Sequence, residues 1–109
     1  MPETHLRLRL QEWGAPEPEL DCDVFDASGR LIGCSEIAYP KIRLALEYEG
    51  DHHRTEAPQW NRDIEKYQRY KQNKWEVLRV TGTLLYRRQS TLRSQLFEAL
   101  ARLGDTWNW

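Results

Sequence analysis

Apolar and polar residues change their period several times along the 109-residue chain, and each change marks an element. Leu6, Leu8 and Leu10 alternate as in a strand, yet the run from Glu3 to Trp13 is rich in helix formers and stops at Gly14, so a short helix is predicted. Gly14 to Leu20 (GAPEPEL) reads as a loop, since its prolines fix φ and lack an amide donor. Leu20 to Phe25 and Leu31 to Ala38 flank the turn residues Asp26, Ala27, Ser28, Gly29 and Arg30, which predicts an antiparallel hairpin. Arg43 to Tyr48 is a third strand, with Leu44 and Leu46 on one face and Ala45 and Glu47 on the other. From Ala57 to Asn73 the period is helical, with Pro58 suited to a first turn and Trp60, Ile64 and Tyr67 as the expected buried stripe. Trp75 to Thr81 is β-rich, and the preceding helix is long enough a crossover for it to run parallel to the third strand. Gln89 to Leu103 is an amphipathic helix with Leu92, Leu96, Leu100 and Leu103 on its stripe, Ser90 or Thr91 as N-cap and Gly104 as its stop. The order α-β-β-β-α-β-α predicts one layered α/β (α+β) domain over residues 1–109, with a mixed sheet, flanking helices and a tail at 104–109.

Composition narrows the class. A chain that is 39% hydrophobic and 30% charged suits a single soluble domain with its own core. No apolar run approaches the roughly 18 residues of a membrane span, and MPETHLRLRL lacks the apolar region of a secretory signal. A cytoplasmic location without a membrane partner is expected. Cys22 and Cys34 are too few for a disulfide framework, and without paired CxxC spacing they make a poor zinc site even with His52 and His53. Both are expected to be reduced thiols.

The net charge of −1 conceals a strong asymmetry. Residues 1–53 hold 5 basic and 11 acidic side chains, and residues 54–93 hold 10 and 4. An acidic cluster facing a basic flank suits a cation-dependent enzyme acting on a polyanion, although solvated helix faces would produce the same split.

The densest chemistry lies in ALEYEGDHHRTE, Ala45 to Glu56. Glu47 and Glu49 share a strand face if the strand runs through Glu49, and Gly50 then places Asp51, His52 and His53 beside them. Glu36, in the preceding strand, comes within about 5 Å of Glu47 if the two strands are neighbours. Ionised together, such carboxylates call for a hard divalent cation, Mg²⁺ or Mn²⁺, and a nearby His is suited to proton transfer. An exposed acidic strand end leading into a polar loop is the plainer alternative. On the next helix Arg62, Lys66, Arg69 and Asn73 recur at helical steps, with Arg54, Gln59 and Lys74 extending the row, as phosphate contacts would require. Pairing with Asp63 and Glu65 on a solvated face explains the same row. Trp60, Trp75 and Tyr67 read as core, while Trp107 and Trp109 fit a docking surface, a tail folded back on the domain or packing between subunits.

Taken in order, PETHLRLRL, GAPEPEL, GRLIGCSEIAYP, ALEYEGDHHRT, QWNRDIEKY and WEVLRVT resemble the very-short-patch-repair-like endonuclease domain of the PD-(D/E)xK nuclease superfamily, over Met1 to about Leu103. The resemblance implies a restriction-endonuclease-like fold and metal-dependent hydrolysis of DNA. It matches Glu3 to the helical acid of the first motif, Glu36 to the strand acid of the second, Glu47 and Glu49 to the third and His53 to the histidine that follows. Asp63 matches a further acid. Glu36 stands where Asp is usual, Glu49 where the superfamily name has Lys, and Lys66 and Tyr70 where Arg and Leu are more usual. The expected function is a divalent-metal-dependent endonuclease with Glu36, Glu47 and Glu49 as ion ligands, Glu3 assisting and His53 as proton carrier. RNA stays open as a substrate, as do a homodimer and an added DNA-reading partner. The other readings are a nuclease fold without turnover, serving as a nucleic-acid-binding or protein-interaction module, and a compact dimerisation domain.

Overall fold

A computed structural model describes residues 2–50 and 57–109, with the backbone alone for 57–60. The elements are α1 (Pro2–Glu12), β1 (Glu19–Phe25), β2 (Leu31–Tyr39), β3 (Leu44–Glu49), α2 (Ala57–Gln72), β4 (Glu76–Thr81) and α3 (Gln89–Trp107). The strands form a four-stranded sheet in the order β1-β2-β3-β4. β1, β2 and β3 pair antiparallel, and β3 and β4 pair parallel across the α2 crossover. This is a mixed α/β architecture, a mixed sheet with helices on both faces.

Local chemistry explains the hairpin between β1 and β2. Asp26 Oδ1 accepts hydrogen bonds from Ser28 N, Ser28 Oγ and Arg30 N, and Gly29 supplies a φ of +87° that a side chain would resist. A short 3₁₀ turn at Pro40–Ile42 then reverses the chain, with Arg43 left-handed at its end.

Two cores hold the layers. On one face Leu6 and Leu10 of α1 and Leu92, Leu96, Ala99, Leu100 and Leu103 of α3 meet Ile37, Tyr39, Leu44, Leu46 and Val80. The leucine alternation in α1 resolves as helix, because the buried pair is Leu6 and Leu10 while Leu8 is exposed. On the other face Tyr70 of α2 meets Val24, Ile32 and Ala45, with Trp75 and Val77 alongside.

Two details differ from the sequence expectations. Of the expected stripe, the Trp60 side chain lies outside the described residues. The buried anchor of α2 is Tyr70, fully inaccessible, whereas Ile64 is exposed and Tyr67 half-buried. The helical period holds and its phase does not, because two aromatic residues three apart compete for one face and only Tyr70 finds a hydroxyl partner. α3 runs through Gly104 to Trp107, with Asn108 left-handed at its C-terminus and no side-chain cap at its N-terminus. The last tryptophans fold home: the Arg43 guanidinium lies 4.1 Å from the Trp107 ring centroid, and Trp109 sits 6.0 Å from Tyr39. Cys22 and Cys34 are free thiols. Among the described residues, no helix is long and apolar enough to cross a membrane.

Candidate functional site

The sheet forks beside Glu36 and Glu47. β2 stays paired with β1 from Leu31 to Ala38, but it pairs with β3 only at Ile37↔Leu46, Ala38↔Ala45 and Tyr39↔Leu44. β3 continues instead with β4, through Glu47↔Arg79 to Glu49↔Thr81. The next β2–β3 rung would set Glu36 opposite Glu47, and like charges directly opposite each other destabilise a ladder. That rung is not made.

β2 also kinks here. Residues two apart in a strand share a face, yet Ile37 lies in the core under α1 and α3 while Ser35 hydrogen-bonds to Tyr70 on the α2 side. Asp21, opposite the kink on β1, has a φ of +48°, a conformation that Asp tolerates better than most residues. The kink brings Glu36 to the mouth of the fork. α1, fixed by Leu6 and Leu10 and by a 2.6 Å hydrogen bond between His5 Nδ1 and the Tyr86 hydroxyl, brings Glu3 to the same place.

Glu3, Leu6, Glu36, Ile37, Leu46, Glu47 and Tyr48 line a cavity of about 70 Å³, room for a few water-sized groups. The Glu36 carboxyl is held above the usual carboxylate range. Partial burial contributes most, followed by the charges of Glu3, Glu47 and Asp21 and a hydrogen bond shared with Glu3. Such a group gains from either a proton or a cation.

Glu47 is the better-buried acid, its side chain 13% exposed. Its Oε1 accepts from Ser35 Oγ at 3.1 Å and from Lys66 Nζ at 2.9 Å. The same ammonium donates to the Cys34 carbonyl at 3.0 Å, and the Ser35 and Tyr70 hydroxyls lie 2.9 Å apart. Burial raises the Tyr70 phenol to about 12, so it stays a neutral donor.

The structure thus gathers Glu3, Glu36 and Glu47. Glu49 does not line the cavity; it pairs with Arg79 of β4. Among the described residues, no three His, Cys, Asp or Glu side chains form a ready metal cage. His53 and Arg54 lie outside the described residues, as does the side chain of Gln59. Arg62 and Arg69 are exposed on α2, and Lys74 is exposed just beyond its end. Lys66, expected in the same outward row, turns in to the sheet instead. Sequence reasoning missed Ser35, Asp21 and Arg79 as neighbours of the acids. Of these, only Ser35, adjacent to Glu36 in a strand, carried a local signal. Searches against protein-family models, curated proteins and solved structures found no match to the chain.

Proposed function

We propose that this chain is a divalent-metal-dependent endonuclease domain acting on DNA, with a restriction-endonuclease-like topology and a place in the very-short-patch-repair-like family. The observation that carries the reading is the convergence of Glu3, Glu36 and Glu47, from three separate segments, on one cavity at the fork of the sheet. Three carboxylates around one cavity, with the proton held on Glu36 by partial burial first and then by the neighbouring acids, would suit a small hard cation that takes oxygen ligands. Glu36 and Glu47 would hold it from the two arms of the fork, with Glu3 completing the set from α1 and Glu49 nearby. When bound, Mg²⁺ or Mn²⁺ lowers the pKa of a coordinated water and offsets charge on a phosphoryl oxygen.

The chain's own residues supply the rest. Ser35 and Lys66 fix the orientation of Glu47, and the Tyr70 hydroxyl in turn holds Ser35. Arg62 and Arg69, exposed on α2, would hold the phosphate backbone through charge without reading sequence. His53 follows the acids by a few residues and is assigned the transfer of a proton.

The test is nicking of supercoiled plasmid with Mg²⁺ or Mn²⁺. Wild type nicks, and Glu47→Ala abolishes nicking. Single-stranded, double-stranded and mismatched DNA, with RNA in parallel, identify the preferred substrate.

A second reading, a nuclease fold without turnover that binds nucleic acid, draws on the Lys66–Glu47 pair, in which the ammonium already compensates the Glu47 carboxylate. A wild type that binds DNA yet nicks it at no ion concentration establishes that reading instead.

A further inference from the structure

We infer that Lys66 is a built-in competitor of the divalent cation for Glu47, so that its ammonium sets the ion concentration at which the site fills. The inference rests on the metal-dependent reading above. Lys66 is the cation in direct contact with Glu47 among the described residues, at 2.9 Å. Its ammonium is fixed from two sides, by that carboxylate and by the Cys34 carbonyl at 3.0 Å. The fold makes room for it: a Cβ at Gly33 would come within 2.8 Å of the Tyr70 ring and 3.3 Å of Lys66 Cε. Gly33 therefore lets α2 lower both side chains onto β2.

The pair is poorly screened, with side chains 24% and 13% exposed, so its charges interact more strongly than surface ions do. A dication taken up by Glu47 must share the carboxylate with the ammonium or displace it. Ser35 also donates to Oε1, at 3.1 Å, so Glu47 keeps a hydrogen bond that orients it when Lys66 is gone. Loss of the lysine charge then matters more than loss of positioning, and removing it exposes the ion to an uncompensated carboxylate beside Glu36 and Glu3.

The experiment is calorimetric titration of Mn²⁺ into the full chain and into Lys66→Met, which keeps an unbranched side chain against Tyr70 without the charge. Lys66→Met is expected to bind Mn²⁺ about tenfold more tightly, with Lys66→Arg close to wild type. A folded Lys66→Met that binds no more tightly than wild type overturns the inference and leaves the nuclease reading standing. Absence of ion uptake by wild type and variant alike removes both. Should Lys66→Met not fold, acylation of Lys66 in the wild type is followed by peptide mass spectrometry with and without Mn²⁺. A severalfold faster reaction with the ion upholds the competition, and an unchanged rate overturns it.

Discussion

At Glu36, partial burial and the carboxylates of Glu3, Glu47 and Asp21 all act in one direction, holding the proton on. A carboxyl whose folded-state pKa is raised contributes stability below its unfolded pKa, and that contribution is lost as pH rises through the folded value. At neutral pH the ionised Glu36 is therefore a cost to the fold, moderated because the residue is exposed and water screens part of the repulsion. Glu36→Gln is expected to raise the melting temperature by about 3 °C at pH 7.5. The gain shrinks as pH falls towards the ordinary carboxylate range, where the wild-type group takes up its own proton. Melting followed by circular dichroism across pH 4–8 checks this, and a gain that grows on acidification contradicts it. Under the proposed function the same substitution also removes an ion ligand, so stability and nicking are expected to move in opposite directions. At this scale the acids were legible in part: Glu36 and Glu47 could be picked out by type and spacing, and Glu3 only through the family resemblance. Their partners were not, because Ser35 and Lys66 reach Glu47 only through the kink in β2 and the phase of α2.

Between elements, the closest constraint is where α2 crosses β2. Gly33 faces Tyr70, which is fully buried between Val24, Ile32 and Ala45 and hydrogen-bonded to Ser35. A methyl group at Gly33 would stand 2.8 Å from the Tyr70 ring and 2.9 Å from its hydroxyl, nearer than van der Waals contact allows. The ring is closely surrounded, so α2 must lift or Tyr70 must leave its rotamer, and overpacking of that kind costs about 1–3 kcal/mol. Gly33→Ala is expected to lower the urea midpoint correspondingly with an unchanged m-value, and to weaken the Lys66–Glu47 contact as α2 rises. An unchanged midpoint would show that the two layers yield more readily than their packing suggests. Hydrophobic period revealed the elements themselves, and turn chemistry the hairpin. Ile64 and Tyr67 in place of Tyr70, and Gly104 as a helix stop, were misread for one reason. Tertiary partners decide which of several apolar positions is covered, and here Tyr39 and Arg43 receive the end of α3 and draw its helix three residues past the glycine.

Across the molecule, the charge asymmetry of the sequence becomes a spatial one: acids from α1, β2 and β3 gather at the fork, and α2, which carries much of the basic segment, crosses beside it. Sequence could show the two charge blocks but not their meeting place, since the fork depends on where the β2–β3 ladder ends, and no composition or period encodes that. A polyanion approaching this surface meets attraction from α2 and repulsion from the fork. The two are separable by mutation. Removing one side-chain cation that neutralises a phosphate lowers the slope of log K against log salt by about 0.9 for duplex DNA. The double variant Arg62→Ala/Arg69→Ala is therefore expected to flatten that slope by about 2 and to weaken binding equally for unrelated sequences. Glu47→Ala, assayed without divalent ion, is expected to bind duplex DNA more tightly than wild type, because it removes a negative charge beside the backbone and releases Lys66 to meet a phosphate. Fluorescence anisotropy over a salt series reads both. An unaltered slope in the arginine variant would move the nucleic-acid surface off α2, and weaker binding by Glu47→Ala would mean that the fork lies away from the phosphate path.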